Sequence, residues 1–513
     1  MILITSGDYI VDELRIEFGK IPPSFLPIGN TRLYIHQIKA LKLFNKDEIF
    51  LTLPESYKIK INDLILLDSL SIKILRIPDK LSLGKSIYHA LTKIDSKDEK
   101  LLILHGDTLI KDIPNEDDFI LVGEESEDYN WEYDQINKRK KIWCGLFSFK
   151  KSSFFINNLK NSNFDFTDSV KMYSNEFKLK RIVAHDWSDF GHVVTFYKNR
   201  CKITTQRSFN NMQISNGVVT KSSQNEKKII AEIDWFLNLP SNLKIFTPNL
   251  INYEKHTSIK YSLEYLYLPT LSELYVFGEQ GIEFWKNIFS NCFHFLKICS
   301  DTKNTLISVS EWNSKSLIVD KTLSRLSELN NSCIWDINTP IYLNNLLQPS
   351  LLNMANELFI IAVDGEERCG YLHGDFCFSN ILYDIRSNRI KAIDPRGIDN
   401  NNVITQYGDI YYDYAKLSHS IIGCYDFIIA KMYNIEKNNN NNYSFSITID
   451  DRLIQIQNEY INTLNFEGLN FKKIYSQMIL LFISMVPLHK DNQTRQVALI
   501  LNAYRLYNIY KYL

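Results

Sequence analysis

The sequence predicts two domains, an α/β domain on a mostly parallel sheet and a longer domain of mixed helices and strands. Strand-like and helix-like runs alternate through the first 200 residues, as in chains that wind around a parallel sheet. After Pro269 amphipathic helical patterns dominate, and a polar motif between two apolar strands interrupts them at residues 371–397. The pattern changes near Asn199 to Gln206, so we expect domains at residues 1–200 and 201–513.

The first domain begins with a strand of the buried type, Met1 to Gly7, which runs into a loop. A second such strand, Leu101 to Thr108, ends in an acidic residue. The runs between them have strand or helix spacing: strands at Glu48 to Leu53 and Ile72 to Ile77, helices at Leu33 to Phe44 and Lys85 to Ile94. Ligands of such sheets bind beyond the carboxyl ends of the strands, where we expect Gly7 and Asp107.

Three segments of this domain resemble the sugar-phosphate nucleotidyltransferases. Gly19 to Asn30 is similar to their proline-rich PKxLLPVxG segment, and Leu104 to Asp107 resembles their central strand that ends in a metal-bearing GD. Trp187 to His192 resembles their WxDxGT segment, which carries a second carboxylate, here Asp189. The resemblance implies a nucleotidyltransferase-like fold in which Asp107 and Asp189 bind Mg²⁺.

The chemistry of that family needs two such carboxylates. A phosphate oxygen attacks the α-phosphorus of an NTP, and pyrophosphate leaves. Carboxylates from distant strands can hold Mg²⁺ against the α-phosphate while the metal keeps some of its waters. Taken singly, Asp107 and Asp189 would be interpreted as loop caps. The proline segment and the alternation of strands and helices favour the metal site.

The loop after the first strand departs from the family pattern. A GxGxR loop would be expected around Ser6 and Gly7, but no second glycine follows. Ser24 stands where the family has a lysine after the second proline. The resemblance still implies that this loop meets the phosphates, and Arg15 or Lys20 would supply the positive charge.

A second loop is a candidate for contacting the nucleotide base. It runs from Leu81 to Ser86, with Gly84 near its centre, and leads into a helix. An ordinary loop before a serine-containing helix start explains the same residues equally well. Both interpretations stay open on the sequence alone.

The second domain carries the most informative motif of the chain. Tyr371 to Leu382 reads YLHGDFCFSNIL, and Ile393 to Gly397 reads IDPRG. Phosphoryl transfer from ATP needs a carboxylate beside the attacking hydroxyl, and an amide oxygen and a second carboxylate for the metal. Asp375, Asn380 and Asp394 supply that set in the right order. The alternative is a tight turn between two strands with an asparagine cap.

The HGDxxxxN and IDxxG pattern resembles the aminoglycoside phosphotransferase and choline kinase family, whose fold is kinase-like. The resemblance implies a bilobal α+β domain with an N-lobe at 205–268 and a C-lobe at 269–513. Asp375 would orient and deprotonate the acceptor hydroxyl, and His373 would brace the catalytic loop. Asn380 and Asp394 would hold Mg²⁺ on ATP.

Upstream residues match further parts of a kinase. Lys221 ends a β-branched run, and Glu232 lies eleven residues later in a helical pattern. In the kinase fold such a lysine reaches the phosphates and the glutamate pairs with it. Without the downstream motif both would be interpreted as surface charges. Gly217 is the only glycine just before Lys221, so a glycine-rich phosphate loop is absent, as in the family that the domain resembles.

Two more segments complete the expected domain. Tyr261 to Pro269 has the apolar, extended character of a segment joining two lobes, and backbone groups of Glu264, Tyr265 and Leu266 would meet the adenine edge. Asp409 precedes a helix that follows the metal aspartate. We expect Asp409 to accept hydrogen bonds from the backbone of the catalytic loop, or to cap that helix.

Composition gives no support for several other classes of protein, although a membrane-lipid substrate and peripheral attachment to a membrane stay open. The net charge of −1, from 58 basic and 59 acidic residues, gives no general case for nucleic acid or a membrane surface. The 8 cysteines are spread singly, as is typical of a reduced, cytoplasmic protein without a zinc site. No basic stretch precedes the first apolar run, so we expect no signal peptide. Met478 to Pro487 is too short an apolar run to span a bilayer.

These observations predict a bifunctional cytoplasmic enzyme with small-molecule and nucleotide substrates. The kinase domain would phosphorylate a sugar, polyol or amino alcohol, and the first domain would transfer a nucleotidyl group onto that phosphate. Such fusions suit bacterial capsule synthesis, and the whole chain resembles proteins of that process. Two alternatives are a degenerate first domain that only binds a regulatory nucleotide, and a first domain that only docks the kinase to a complex. The acceptor, the base and the oligomeric state stay open.

Overall fold

The computed structural model describes residues 1–44, 47–94, 99–124, 129–136, 138–203, 210–256, 258–302, 315–332, 334–365, 368–438 and 441–512. The chain divides into two compact units. The first unit comprises Met1–Thr205 and Phe277–Glu279, and the second comprises Gln206–Val276 and Gln280–Leu513. The boundary predicted near Asn199 to Gln206 lies partly outside the described residues.

The first unit alternates strands and helices for most of its length. Its strands are β1 (Ile2–Thr5), β2 (Pro27–Ile28), β3 (Thr31–Arg32), β4 (Ile49–Pro54), β5 (Lys73–Ile77), β6 (Leu101–His105), β7 (Thr108–Ile110), β8 (Phe119–Gly123), β9 (Tyr133–Ile136), β10 (Arg139–Phe149), β11 (Lys180–Val183) and β12 (Trp187–Asp189). Its helices are α1 (Asp12–Phe18), α2 (Leu33–Phe44), α3 (Ile61–Ser69), α4 (Leu83–Lys93), α5 (Ser152–Asn161), α6 (Phe166–Phe177) and α7 (Val193–Arg200).

The main sheet of this unit is mixed, which corrects the expected mostly parallel one. Its order is β11-β8-β10-β6-β1-β4-β5, and β9 pairs with β10. The pairs β6–β1, β1–β4, β4–β5 and β11–β8 are parallel, whereas β10 runs antiparallel to β6, β8 and β9. A short hairpin connection between β9 and β10 is possible only for antiparallel strands, and it reverses the chain direction at the middle of the sheet.

The apolar strands of this sheet bring two loops together. Leu3, Leu51 and Ile103 are fully buried, because helices cover the strands on both faces. β1 and β6 pair in register up to Thr5 and His105, so the loops that follow them leave the sheet side by side. The Gly106 N–H donates to the Thr5 carbonyl at 2.9 Å and locks the two loop starts together. Residues after both strands therefore meet at the carboxyl edge of the sheet.

The second unit begins with strands and continues mainly as helices. Its strands are β13 (Asn210–Ser215), β14 (Val218–Ser223), β15 (Leu250–Glu254), β16 (Lys260–Glu264), β17 (Ile341–Leu343), β18 (Leu346–Gln348), β19 (Cys369–Tyr371), β20 (Ile381–Asp384), β21 (Arg389–Ala392), β22 (Tyr407–Asp409), β23 (Asn434–Asn438) and β24 (Asn442–Ser446). Its helices are α8 (Glu226–Leu237), α9 (Leu271–Phe277), α10 (Ile282–Asp301), α11 (Lys321–Asn331), α12 (Leu351–Ala362), α13 (Tyr411–Ile421), α14 (Tyr425–Ile429), α15 (Asp451–Phe466), α16 (Phe471–Met485) and α17 (Gln493–Tyr510).

The first sheet of the second unit is antiparallel, in the order β13-β14-β16-β15. β13 and β14 are joined by a tight turn at Asn216 and Gly217, whose φ angles are 51° and 73°. Positive φ at both central residues is the hallmark of a type I′ hairpin turn, for which Asn-Gly is the favoured pair. α8 follows β14 and packs on this sheet with Ile229, Ile233 and Trp235 buried.

The polar motif of the sequence lies in two small antiparallel ladders. β19 pairs with β22, and β20 pairs with β21 as a hairpin, with Tyr383 opposite Ile390. The loop from Leu372 to Asn380 joins the two ladders. The N–H of Ile393 donates to the carbonyl of Asn380 at 2.9 Å, so the two halves of the motif meet where the β20–β21 hairpin opens.

Two late segments differ from what their composition alone indicates. The asparagine-rich segment Lys437 to Asn442 has the composition of a loop, but its described part ends β23 and begins β24, two paired strands, while residues 439–440 lie outside the described residues. The apolar run near Met478 extends into one helical segment, Phe471–His489, of 19 residues. Among the described residues it is the one segment long and apolar enough to cross a membrane, and 83% of its apolar window is buried inside the protein, as in a core helix.

Candidate active sites

Two aspartates of the first unit converge although they are distant in sequence. Asp107 follows β6, and Asp189 ends β12, which pairs with β7 so that Asp189 lies opposite Thr108. The N–H of Phe190 donates to the Asp107 carbonyl at 2.8 Å. A methyl group on Gly191 would overlap Oδ2 of Asp107 and come within 3.3 Å of Oδ1 of Asp189. Both carboxylates therefore border the space beside Gly191.

The two carboxylates have different environments. Burial, reinforced by the negative charge of Asp189, raises the pKa of Asp107 to about 6. Asp189 is buried and accepts hydrogen bonds from the Gly191 N–H at 3.2 Å and from Thr195. His192 lies 2.9 Å from Asp189 Oδ2, and this hydrogen bond raises the pKa of His192. Burial and the nearby Asp189 charge disfavour the ionised form of Asp107, and a cation bound beside it would stabilise that form.

The pair fits a divalent metal that arrives with its nucleotide. Carboxylate oxygens are the ligands that Mg²⁺ prefers, and two like charges at one place are relieved by a cation. Among the described residues, however, no group of three or more His, Cys, Asp or Glu side chains is arranged to hold a metal. Asp107 and Asp189 would therefore supply part of the metal's ligands, and phosphate oxygens and water the remainder.

The polar side chains behind this edge are used to join the loops. Ser24 is fully buried; its hydroxyl donates to the Gly106 carbonyl at 3.1 Å, and its N–H donates to Ser6 Oγ at 3.0 Å. The N–H of Ser6 donates in turn to Thr52 at 2.8 Å. Ser24 thus ties the proline-rich segment to the ends of β1 and β6, and a lysine at this buried position would lack a counter-charge.

Gly7 and Gly84 both permit close packing around α4. A methyl group on Gly7 would come within 2.6 Å of the Ser86 hydroxyl. A methyl group on Gly84 would overlap the Phe164 carbonyl and approach the Phe166 nitrogen to 3.2 Å. Packing of the first turn of α4 accounts for Gly84 without a base, so the base contact proposed for this loop has no further support here.

The two candidate cations of the first unit lie around the loop after Gly7. The Lys20 ammonium lies 4.2 Å from the centre of the Tyr9 ring, and the Arg15 guanidinium lies 5.9 Å from it. Arg15 also contacts the exposed Asp12 at 2.6 Å, whereas Lys20 is exposed. Lys20 is therefore the better placed of the two to contact a nucleotide phosphate from solvent.

Three charged residues of the second unit form a chain of ion pairs. The Lys221 ammonium lies 2.8 Å from Glu232 and 2.9 Å from Asp394. Burial would lower the pKa of Lys221, but the Asp394 and Glu232 charges outweigh it and raise that pKa. Tyr261 also donates to Glu232 at 2.7 Å. β14, α8 and the loop after β21 thus place Lys221 and Asp394 side by side.

Asp394 combines a left-handed backbone conformation with an ionised carboxylate. Its φ of 57° lies in the left-handed region, which is uncommon for a residue with a side chain and is concentrated at functional sites. Burial would raise the pKa of Asp394, but the Lys221 charge outweighs burial and lowers it. About half of the Asp394 side chain is exposed, at 48%. The carboxylate is therefore ionised and open to a ligand.

Asp375 and Asn380 lie in direct contact. The Asn380 amide nitrogen donates to Asp375 Oδ2 at 2.9 Å and to the Asp375 carbonyl at 3.0 Å. Since the nitrogen is used in this way, the Asn380 amide oxygen is the atom left for a metal. Asp394 and Asp375 interact electrostatically across the site. The structure thus gathers all the residues expected around the metal and the acceptor hydroxyl.

A lysine that the sequence did not single out holds the second oxygen of Asp375. Lys416, on α13, lies 2.8 Å from Asp375 Oδ1 and is almost fully buried. Burial would lower the pKa of Lys416, but the Asp375 carboxylate outweighs burial and raises it. Lys416 holds one oxygen of Asp375 and orients the carboxylate, so it is a positioning residue of the candidate site.

The catalytic-loop backbone is held by Asp413, which corrects the role expected of Asp409. The two carboxylate oxygens of Asp413 accept the N–H groups of His373 and Gly374, each at 2.8 Å. Asp409 takes the other role expected of it, at the start of the helix: its Oδ1 accepts the N–H of Tyr411, the first residue of α13, at 3.2 Å, and the Arg368 N–H at 3.3 Å. Asp413 lies one helical turn further along, on the face of α13 that meets the loop.

His373 is enclosed beneath the same loop. It is fully buried against Trp235, Phe376 and Phe295, and burial lowers the pKa of His373 to about 4. Its Nδ1 accepts the Asp375 N–H at 3.3 Å. A neutral, packed ring of this kind suits the bracing role expected for it.

Several backbone groups of the segment expected to contact adenine already form hydrogen bonds within the protein. The Glu264 N–H donates to the Asn249 carbonyl at 3.0 Å, and the Tyr265 N–H donates to the Gly217 carbonyl at 2.8 Å. The Leu266 carbonyl accepts from Leu268 at 2.9 Å. A purine edge could meet only the remaining backbone groups of this segment.

Several functional neighbours were missed because their types are common. Asp413 and Lys416 stand three residues apart on the helix that was expected to follow the metal aspartate. That spacing places them on one face of the helix, but it does not show which face meets the catalytic loop. Tyr261 stands opposite Lys221 in the strand register and could have been found from the pairing of β14 with β16. His192 stands at the threonine position of the WxDxGT pattern, and its place in that pattern could have indicated it.

The solved structures described here are similar to the N-terminal part of the chain. No protein-family model matches the sequence, and no curated protein sequence matches it significantly. The solved structure of a nucleoside-diphosphate-sugar pyrophosphorylase from Vibrio cholerae RC9 is similar at 12% identity and a TM-score of 0.33, over 39% of this chain and 100% of that one. The inositol-1-phosphate CTP transferase from T. maritima is similar at 16% identity and a TM-score of 0.30, over 39% of this chain and 95% of that one.

Proposed function

We propose that the second unit is an ATP-dependent kinase of a small hydroxyl compound. The observation that carries this proposal is the convergence of Lys221, Asp375, Asn380 and Asp394 from separate segments, with the contacts that phosphoryl transfer requires. A tight turn with an asparagine cap would need neither the buried Lys221–Glu232 pair nor the strained backbone of Asp394. The turn interpretation of the motif therefore explains less of the site.

The residues of this site have distinct tasks in the proposed reaction. The acceptor hydroxyl would give its proton to Asp375 as its oxygen bonds to the γ-phosphorus. The bond from that phosphorus to the β–γ bridging oxygen breaks, and ADP leaves. Lys221, steadied by Glu232, would bind phosphate oxygens of ATP, while Asn380 and Asp394 would hold Mg²⁺. The metal would neutralise charge on the phosphates during the transfer.

We further propose that the first unit is a nucleotidyltransferase that uses the kinase product. The convergence of Asp107 and Asp189 at the carboxyl edge of the sheet supports it. The phosphorylated acceptor would attack the α-phosphorus of an NTP, and pyrophosphate would leave. The product would be an NDP-activated sugar, polyol or amino alcohol, which suits a cytoplasmic enzyme of bacterial capsule or surface-glycan synthesis.

Two departures from the family pattern favour two other candidate functions for the first unit. Ser24 is buried in place of the family lysine, and no second glycine follows Gly7, so phosphate binding would depend on the exposed Lys20 and on Arg15. A degenerate domain that binds a nucleotide only as a regulator, or one that docks the kinase to a complex, would tolerate both changes. Neither alternative releases pyrophosphate from an NTP.

One screen tests both proposals together. The purified chain is incubated with ATP, Mg²⁺, each NTP in turn and a panel of sugars, polyols and amino alcohols, and products are identified by mass spectrometry. We expect a phosphorylated acceptor with ADP, and then an NDP conjugate with pyrophosphate. Phosphorylation without pyrophosphate from any NTP would favour the degenerate first unit. No phosphorylated acceptor at all would contradict the kinase.

A further inference from the structure

Three cations meet around one phenol beside the candidate base of the kinase. Lys321 at the start of α11 lies 3.3 Å from the Tyr412 hydroxyl, and the Arg396 guanidinium lies 3.2 Å from it. Tyr412 and Lys416 stand one turn apart on α13, and Lys416 contacts Asp375 at 2.8 Å. The phenol is thus the centre of a group of cations that borders the candidate phosphoryl-transfer site.

Arg396 is anchored on the catalytic loop itself. It stands two residues after Asp394, and its N–H donates to the His373 carbonyl at 2.8 Å. A methyl group on Gly374 would come within 2.7 Å of the Arg396 Cβ, so the side chain lies directly against the HGD turn. The backbone and the start of the Arg396 side chain are therefore fixed against the residues that would handle the acceptor.

The charges of this cluster do not balance. Lys416 is neutralised by Asp375, and Lys221 by Glu232 and Asp394. Lys321 and Arg396, in contrast, have no carboxylate within ion-pair distance among the residues that the structure describes. Their shared partner is the Tyr412 hydroxyl, which is neutral at its ordinary pKa. Two positive charges are left over beside the base.

The pKa values of Tyr412 and Lys321 agree with this excess of positive charge. Burial would raise the pKa of Tyr412, but Lys321, Lys416 and Arg396 outweigh burial and lower that pKa to about 8. Burial, together with the charges of Arg396 and Lys416, lowers the pKa of Lys321 to about 8. Cations held in a partly buried place without a counter-charge are costly, and an anionic ligand would remove that cost.

We propose that the acceptor of the kinase carries an anionic group, a carboxylate or a phosphate, which binds between Lys321 and Arg396 while its hydroxyl faces Asp375. The guanidinium of Arg396 offers paired donors suited to either oxyanion, and Lys321 adds a point charge. Neutral polyols and cationic amino alcohols would then be poor acceptors. This inference rests on the proposed kinase function and narrows its substrate class.

Acceptors that differ only in charge give the first test. Two such series are glycerol, glycerate, glycerol 3-phosphate and 3-amino-1,2-propanediol, and glucose, glucuronate, glucose 6-phosphate and glucosamine. Within the series that is phosphorylated, we expect kcat/KM for an anionic member to exceed that of the neutral and cationic members by roughly tenfold or more. The carboxylate and phosphate members distinguish the two sources of the anion. Equal or better turnover of a neutral or cationic member would overturn the proposal.

Variants assign the effect to the cluster. Arg396→Gln and Lys321→Gln should raise KM for the anionic acceptor roughly tenfold to hundredfold and leave KM for ATP nearly unchanged. Lys321→Arg should largely restore it, and Lys472→Gln, an exposed charge on α16, should have no effect. A rise in KM for ATP alone would show that the cluster serves the γ-phosphate of the donor, which would overturn the proposal. Circular dichroism of each variant checks folding.

Direct binding separates this inference from the kinase proposal. Calorimetry of the same anionic compounds without ATP should show binding that Arg396→Gln weakens and Lys472→Gln does not. Binding of this kind without any phosphoryl transfer would contradict the kinase and leave the anion site standing. Binding that both variants leave unchanged, or no binding of any anionic member, would overturn the anion site.

Discussion

In the candidate kinase site, two neighbours hold the carboxylate of Asp375 in place. Lys416 and Asn380 each occupy one of its oxygens, at 2.8 and 2.9 Å. Both contacts fix the orientation of the carboxylate, so it is positioned to accept a proton from a hydroxyl. The His373 N–H and the Gly374 N–H are meanwhile fixed by Asp413.

Replacement of Asp375 by asparagine tests its role as the base. The shape is kept and the proton acceptor is lost, so we expect acceptor phosphorylation to fall by roughly 10²–10⁴-fold while ATP binding is nearly intact. Steady-state assays of ADP formation and calorimetry with ATP measure the two quantities. Turnover at the wild-type rate would remove Asp375 from the mechanism.

Asp413 gives a prediction about pH and stability. Burial raises the pKa of Asp413 in the folded protein to about 7, against an ordinary carboxyl value of 3.8. The folded state therefore binds a proton that the unfolded state has released. The stabilisation from this group is full below the ordinary value and is lost as pH rises through about 7.

The comparison with Asp413→Asn isolates that contribution, because the variant cannot titrate at this position. We expect the difference in unfolding midpoint, wild type minus variant, to shrink as pH rises from about 5 to about 8. Thermal scans at several pH values measure it. A difference that is constant or grows with pH would show that Asp413 is ionised throughout. Asp426, another buried carboxyl with a raised pKa, stays in both proteins and cancels.

At the scale of elements, the first unit brings its carboxylates together through strand pairing. β6 ends beside β1, and the β7–β12 ladder returns the chain so that Asp189 meets Asp107. The turn after β12 must leave room for both, and Gly191 provides it. The close approach of two carboxylates to that α carbon is the physical reason for a glycine there.

Gly191→Ala tests this arrangement without removing a carboxylate. The added methyl would collide with Asp107 Oδ2, so we expect pyrophosphate release to fall at least tenfold, as an order-of-magnitude estimate for a misplaced ligand. Gly281→Ala is the matched control, because the space beside Gly281 is open. Undiminished pyrophosphate release from a folded Gly191→Ala protein would place the metal elsewhere.

Several elements could be predicted from the sequence where apolar periodicity reports which faces are buried. The helix predicted from Leu33 to Phe44 is observed with those bounds, and the strand predicted from Ile72 begins one residue later. The direction of β10 was missed, because an apolar run does not say whether its neighbour is parallel. Its hairpin partner β9 is polar, and the basic cluster from Lys138 to Lys141, which begins the strand, resembles a solvated surface.

The site residues fall into two groups, those that a motif and the strand pattern can place and those that only tertiary packing reveals. Asp107 and Asp189 lie at or just after strand ends, and Asp375 and Asn380 lie in the loop between β19 and β20, so motif and strand pattern together could place them. Asp413 and Lys416 could not be chosen over Asp409 from the sequence, because the choice depends on which turn of α13 meets the loop. Lys321 is distant in sequence and belongs to no motif, so only tertiary packing reveals it.

For the whole molecule, we propose that each unit catalyses one reaction and that the product of the second unit is the substrate of the first. The second unit would attach a phosphate to an anionic hydroxyl compound, and the first would convert that phosphate to a diphosphate linkage. The two sets of carboxylates lie in separate units, Asp107 and Asp189 in the first and Asp375 and Asp394 in the second. The two chemistries should therefore be separable by mutation.

The most direct test of this central claim is a reciprocal pair of variants assayed for both reactions. Asp394→Ala should stop phosphorylation of the free acceptor but still release pyrophosphate from an NTP when the phosphorylated acceptor is supplied. Asp107→Ala should form the phosphorylated acceptor and ADP but release no pyrophosphate. Loss of both activities in either folded variant, or survival of the activity that each variant should lack, would contradict two independent sites.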